Sequence, residues 1–112
     1  MSHLQYYERK FIKFYRKLSL ESGNVKERLE ICGENLEYAY SLSQIEGLGS
    51  ERRDMWRNVW SELTCKPPYK DNDPIKSSIS HSLARKHNKS LITYLDFFLN
   101  EYTLIIKKNN IM

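Results

Sequence analysis

The chain has 112 residues, which is the usual length of one domain and too short for two separate hydrophobic cores. Hydrophobic residues make up 40% and charged residues 29%, a globular composition that excludes intrinsic disorder. The formal net charge of +4 excludes a polycationic protein, and the excess lies in residues 65–112, which hold eight basic and four acidic side chains.

The residues at the start of the chain lack an uninterrupted apolar segment of signal-peptide length, and no stretch approaches a membrane span of about 18 apolar residues. These observations predict a cytoplasmic protein without a membrane partner. Two cysteines, Cys32 and Cys65, permit one disulfide but no disulfide framework. In a reducing compartment we expect Cys32 to act as a small core hydrophobe.

The first predicted helix covers about residues 3–19, because apolar residues recur there at three- and four-residue steps and share one face. This face comprises Leu4, Tyr7, Phe11, Phe14, Tyr15 and Leu18. The opposite face carries the basic residues Arg9, Lys10, Lys13, Arg16 and Lys17. The sequence Ser22-Gly23-Asn24 should end the helix, with Asn24 capping the next one.

The second predicted helix runs over about residues 25–46 and has two apolar rows, which indicate two packing neighbours. One row comprises Val25, Leu29, Cys32, Leu36, Ala39 and Tyr40, and the other comprises Ile31, Tyr38, Leu42 and Ile45. An acidic stripe on another side comprises Glu27, Glu30, Glu34 and Glu37. Gly33 lies mid-helix, where it costs about 1 kcal/mol relative to Ala and predicts close approach of another helix.

Three further helices are predicted. After Gly47-Leu48-Gly49 the third should be capped by Ser50 and end near Thr64, and the fourth should run from Asp73-Pro74, a capping Asp before Pro, to about His87. The fifth covers about residues 90–107, with Leu91, Ile92, Leu95, Phe98, Leu99, Tyr102, Ile105 and Ile106 as its main apolar face. These patterns predict an all-α fold, a compact bundle of four to five helices in one domain over residues 1–112. Helices one, two and five should form its core.

Motifs that support catalysis are missing from the sequence. It contains no Gly-rich phosphate loop, no H-E-x-x-H, no C-x-x-C and no G-x-S-x-G. Cys65, His81 and His87 match no standard zinc spacing and would lack a fourth ligand. The glutamates of the second helix lack the Glu-x-x-His pairs of di-metal bundles. We therefore expect no catalytic residue, no metal and no cofactor.

The opposite charges of the first two helices allow two interpretations. The basic and acidic stripes can pair as antiparallel neighbours, where each surface pair contributes about 0–1 kcal/mol. Alternatively, both stripes stay free and form a bipolar surface. Pairing is the preferred interpretation, because surface charge usually serves only solvation.

The segment 66–89 is a candidate surface for anions or nucleic acid. Its basic residues are Lys66, Lys70, Lys76, Arg85, Lys86 and Lys89. Binding to phosphates through them would be salt-dependent. The loop before the fourth helix is too long, and the fifth helix too apolar, for a helix-turn-helix. A solvated polar helix explains the same residues equally well.

Apolar residues outside the main helix faces indicate either packing on a neighbouring helix or contact with a partner. The candidate interface residues are Tyr6, Ile31, Tyr38, Leu42, Ile45, Phe97 and Leu104. The sequence therefore predicts a non-enzymatic protein that binds a protein partner, in an inhibitor, immunity-like, antitoxin-like or adaptor role, or that forms a homodimer. A nucleic-acid-associated protein that uses the basic segment is the alternative.

Overall fold

The structure, a computed structural model, describes residues 2–69 and 72–109. These residues form six α-helices: α1 His3–Leu20, α2 Val25–Ile31, α3 Gly33–Ser43, α4 Ser50–Leu63, α5 Pro74–Leu83 and α6 Asn88–Asn109. A 3-10 turn at Glu46–Leu48 lies between α3 and α4. The all-α prediction is confirmed. None of the helices in these two ranges combines the length and the hydropathy that crossing a membrane requires.

Two of the three predicted helix caps are present. The side chain of Asn24 accepts a hydrogen bond from the backbone N–H of Glu27 at 3.0 Å, and Asp73 accepts one from the N–H of Lys76 at 3.3 Å. The third prediction is wrong, because Ser50 is already inside α4 and Gly49 occupies the capping position. Gly49 has a φ of 93°, a conformation that glycine adopts without a steric penalty.

The second predicted helix is two helices, which accounts for the count of six rather than four to five. The break falls at Cys32, whose ψ of 10° departs from regular α-helix geometry. Gly33 follows it, and a Cβ atom built there would lie 3.1 Å from Cδ1 of Ile79 in α5. The close approach predicted from Gly33 is therefore confirmed. α5 packs against both α2 and α3 at this bend.

The centre of the core is Trp56 of α4, which is fully buried. Its indole ring meets the aromatic rings of Tyr7, Phe11, Tyr40, Phe97 and Phe98. Helices one, two and five were predicted to form the core, and α4 and α5 contribute buried side chains to it as well. Cys32 is fully buried among apolar residues, as predicted.

α6 presents a different face to the core than its apolar pattern predicted. Ile92 and Leu99, both assigned to the buried face, are 56% and 48% exposed. Phe97, a predicted interface residue, is buried instead, with its ring centroid 5.1 Å from that of Trp56. This correction has a physical cause: Glu101 is also buried on α6, and turning its carboxylate inward rotates the helix toward Phe97.

Candidate functional site

α1 and α3 lie side by side and run antiparallel, since Tyr6 meets Tyr38 while Lys17, eleven residues later, reaches Asn35. Their outward-facing side chains, together with Ile45 just after α3, form one continuous surface. We call it the α1–α3 face, and it comprises Tyr6, Lys10, Lys13, Glu34, Asn35, Tyr38, Leu42 and Ile45. It contains four of the seven interface residues that were predicted from separate helices.

A pair of exposed tyrosines occupies the middle of the α1–α3 face. The hydroxyl oxygens of Tyr6 and Tyr38 are 2.6 Å apart, and their rings meet edge to face. The hydrogen bond to Tyr6 raises the pKa of the Tyr38 hydroxyl. Nζ of Lys10 lies 5.4 Å and 5.8 Å from the two ring centroids, within range of a cation–π contact. The two rings are thus held in a fixed arrangement at the surface.

One end of the face is apolar. A shallow depression of about 250 Å³ lies there, lined by Ser2, His3, Tyr6, Leu42 and Ile45. Leu42 and Ile45 are half-buried, because one side of each packs against the core. Their other side lines the depression and can accept an apolar side chain from outside.

The other end of the face is charged. A second depression, of about 260 Å³, is lined by Lys10, Lys13, Glu34, Asn35 and Tyr38. Within residues 2–69 and 72–109, Lys13 and Arg16 take part in no ion pair or hydrogen bond. The predicted pairing of the basic and acidic stripes is therefore wrong for these two residues, although the helices that carry them are neighbours.

The remaining predicted interface residues lie elsewhere. Ile31 on α2 is 38% exposed and Leu104 on α6 is 50% exposed, but neither lines the two depressions. Phe97 is a core residue, as described above. Sequence periodicity identified all three as off the main faces, but it could not tell which neighbour each would meet.

The predicted basic surface is interrupted by acidic residues. Nζ of Lys86 lies 4.0 Å from a carboxylate oxygen of Glu62, and Lys76 shares a depression with Glu30 and Asp73. Two others, Arg85 and Lys89, are exposed.

The loop that precedes α5 is attached to it. The backbone N–H of Lys66 donates to Oγ of Ser82 at 2.9 Å, and its carbonyl accepts from Oγ of Ser78 at 2.7 Å. Lys66 is thereby held beside the helix that carries Lys76. Lys70 lies outside the described residues.

A buried hydrogen-bond network that the sequence did not reveal joins α1, α4 and α6. Oε1 of Glu101 accepts from the Tyr7 hydroxyl at 2.5 Å and from Nη2 of Arg52 at 3.0 Å, while Oε2 accepts from Nε of Arg52 at 2.7 Å. Nε1 of Trp56 donates to the Tyr7 hydroxyl at 2.9 Å. Glu101, Tyr7 and Trp56 are buried, and Arg52 covers the carboxylate from the surface.

A second buried carboxylate lies next to this network in the sequence. Glu8 of α1 accepts from Nζ of Lys108 at 3.2 Å and from Nδ2 of Asn109 at 3.4 Å. Both glutamates are therefore matched by donors, as buried charges must be. The hydrogen bonds to Glu101 join α1, α4 and α6, and those to Glu8 join α1 to the end of α6.

The network shifts the ionisation of its members. Burial, followed by the charge of Glu101 and the hydrogen bond to it, raises the pKa of Tyr7 far above its ordinary value. Burial alone would lower the pKa of Arg52, but the hydrogen bonds and charge of Glu101 outweigh burial and raise it. Arg52 thus stays charged while Tyr7 stays protonated as a donor.

Alkaline pH should destabilise the fold through Tyr7. The folded state holds the Tyr7 proton more tightly than the unfolded state, so this contribution is intact below pH 10 and falls by about 1.4 kcal/mol per pH unit above about pH 10. Denaturant titrations from pH 8 upward measure the slope. Tyr7→Phe should be less stable at neutral pH but show a shallower alkaline decline. If the free energy of unfolding falls with the same slope above pH 10 in the wild type and in Tyr7→Phe, the alkaline loss does not come from Tyr7.

The residues considered for metal binding do not converge. Nδ1 of His81 donates to the backbone carbonyl of Pro67 at 2.9 Å, and Cys65 is an exposed free thiol. In the part of the chain that the structure describes, no three His, Cys, Asp or Glu side chains are grouped to hold a metal ion. Comparisons of this chain with protein-family models, with curated proteins and with solved structures found no match.

Proposed function

We propose that this chain is a non-enzymatic binding protein that docks on a protein partner through the α1–α3 face. The observation that carries the proposal is the exposed Tyr6–Tyr38 pair, which lies beside an apolar depression and is bordered by the exposed side chain of Lys13. An inhibitor, immunity-like, antitoxin-like or adaptor protein would act in this way, by covering or bridging a partner without chemistry.

The tyrosine pair has the properties of an interface anchor. Tyrosine is enriched among residues whose truncation costs an interface 2 kcal/mol or more, roughly a thirtyfold change in affinity. The mutual hydrogen bond of Tyr6 and Tyr38, and the contact of Lys10 with both rings, hold the side chains before a partner arrives. Less conformational entropy is then lost on binding.

The basic segment supports the nucleic-acid alternative less well. The acidic neighbours of Lys76 and Lys86 lower the local positive potential that phosphate binding needs. A fluorescence-anisotropy titration of single- and double-stranded DNA and RNA at low salt decides between the two. Binding that weakens on charge reversal at Arg85 and Lys89 would favour nucleic acid.

Partner binding is tested with Tyr6→Ala/Tyr38→Ala. Proteins retained by the immobilised wild-type chain are identified by mass spectrometry, purified and titrated by calorimetry. We expect the double variant to bind about thirtyfold more weakly or worse, since it removes the central anchors. The fold should survive, because both rings are exposed and hydrogen-bond to each other.

Ile92→Ala/Leu99→Ala is the matched control. It also removes two exposed apolar side chains, but from α6. The affinity of this control variant for the purified partner should equal that of the wild type. Equal affinities for all three proteins, or retention of partners by both variants alike, would contradict the proposed function.

A further inference from the structure

We infer that the α1–α3 face is occupied by a second copy of this chain, in a two-fold dimer in which α1 of one protomer crosses over α3 of its partner. The inference rests on the proposed function and names the occupant of the same face. It follows from the distribution of charge across the face and from the antiparallel arrangement of the two helices.

The two halves of the face carry opposite charge. The α1 half carries Lys10 and the exposed Lys13, and the one acidic residue of α1, Glu8, is buried. The α3 half exposes Glu34. A uniformly acidic partner would match the first half but would place like charges opposite the second. An isologous contact between two copies can satisfy both halves, because each copy supplies the complement that the other needs.

The positions of the side chains along the helix direction favour one of the two possible two-fold axes. Lys13 lies at the level of Glu34, in one shared depression, and Tyr6 lies at the level of Leu42 in the other. A two-fold axis parallel to the helices leaves the position of each residue along the helix direction unchanged. It places the α1 half of one protomer opposite the α3 half of the other. Lys13 then faces the partner's Glu34, and Tyr6 faces the partner's Leu42, each twice by symmetry.

The second possible two-fold axis lies in the plane of the interface and perpendicular to the helices, and it is disfavoured. It would set the basic half of one protomer against the basic half of the other, with Lys10 and Lys13 facing like charges. It would also place the apolar depression of one copy over the charged depression of the other. Repulsion and desolvation both oppose that arrangement.

Sedimentation velocity from low micromolar to near-millimolar concentration tests the dimer. Association should raise the mass from 13.4 kDa to twice that value as concentration rises. Lys13→Glu and Glu34→Lys each place two like-charged pairs in the interface, and each should weaken association about tenfold or more. The combined variant Lys13→Glu/Glu34→Lys restores opposite charges and should return the affinity to within about threefold of wild type.

Lys89→Glu is the control for charge reversal outside the face, since Lys89 is exposed at the start of α6. It should leave association unchanged, and circular dichroism confirms that each variant is folded. A mass of 13.4 kDa at every concentration would overturn the inference. Association insensitive to the single reversals, or not restored by the combined variant, would do the same.

The experiments distinguish failure of the proposed dimer from failure of the proposed function. A monomeric chain whose bound partner is lost on Tyr6→Ala/Tyr38→Ala refutes the dimer and leaves the proposed function standing. A monomeric chain with no interaction that depends on these tyrosines refutes both. A dimer that responds to the charge exchange supports both.

Discussion

Glu101→Ala is expected to lower the free energy of unfolding by about 3–5 kcal/mol, the range for removing one partner of a buried ion pair. The truncated side chain leaves Arg52 without its carboxylate, and the Tyr7 hydroxyl loses its acceptor in the core. Denaturant titration followed by circular dichroism measures the change. Asp54→Ala, which breaks an exposed pair with Arg57, should cost only about 0–1 kcal/mol.

A double-mutant cycle with Arg52→Ala shows whether the pair acts as a unit. We expect Arg52→Ala/Glu101→Ala to lose less stability than the sum of the two single losses, because the second truncation removes a charge already left unpaired. Strict additivity, or a loss for Glu101→Ala no larger than for Asp54→Ala, would show that the network does not stabilise the fold.

Trp56→Ala is expected to cost about 3–5 kcal/mol, because it removes a fully buried indole and leaves a cavity that its neighbours fill only partly. That is a large share of the total stability of about 5–15 kcal/mol typical of a domain. Trp56→Phe keeps most of the volume and should lose less, which keeps the test measurable if the alanine variant unfolds. Thermal and denaturant unfolding by circular dichroism give both values.

Trp60→Ala is the comparison for Trp56. Trp60 is only partly buried and stacks on Tyr40 at a centroid distance of 5.2 Å. Its removal should cost clearly less than removal of Trp56, since solvent already reaches part of the site. Equal losses at the two positions would contradict the placement of Trp56 at the centre of the core.

Local features of this fold could be read from the sequence. The helical periodicity gave the all-α class, and the caps at Asn24 and Asp73 follow from contacts within three residues. The break at Cys32 was not predicted, and beside it Ile79 approaches Gly33 from a distant part of the chain. Gly33 predicted a close helix–helix approach, but no local signal identified α5 as the helix that approaches or showed that the helix breaks there.

Glu101 explains the largest error in the sequence-based prediction. A pattern of apolar residues treats every glutamate as solvent-facing, whereas the partners of Glu101 lie 49 and 94 positions away in the chain. Once that carboxylate is buried, Phe97 must follow it inward, and Ile92 and Leu99 must turn outward. The orientation of α6 is therefore a tertiary property.

The candidate site could be predicted only in parts. Tyr6 and Tyr38 were each identified as apolar residues off their helix faces, but their meeting depends on the pairing of α1 with α3. The unpaired state of Lys13 and Arg16 depends on the same geometry, since side chains of opposite charge on neighbouring helices need not point toward each other. Sequence gives the residues of such a surface, and tertiary packing assembles them.

The shared carboxylate has a consequence for synthesis of the chain. α1 and α4 leave the ribosome well before Glu101, yet Tyr7 and Arg52 obtain their acceptor only when that residue arrives. Until then, a nascent chain holding these helices keeps an unmatched guanidinium and an incomplete apolar interior. A nascent chain from which α6 has not yet emerged cannot complete this network, and we expect a chain stalled at that stage to be prone to aggregate.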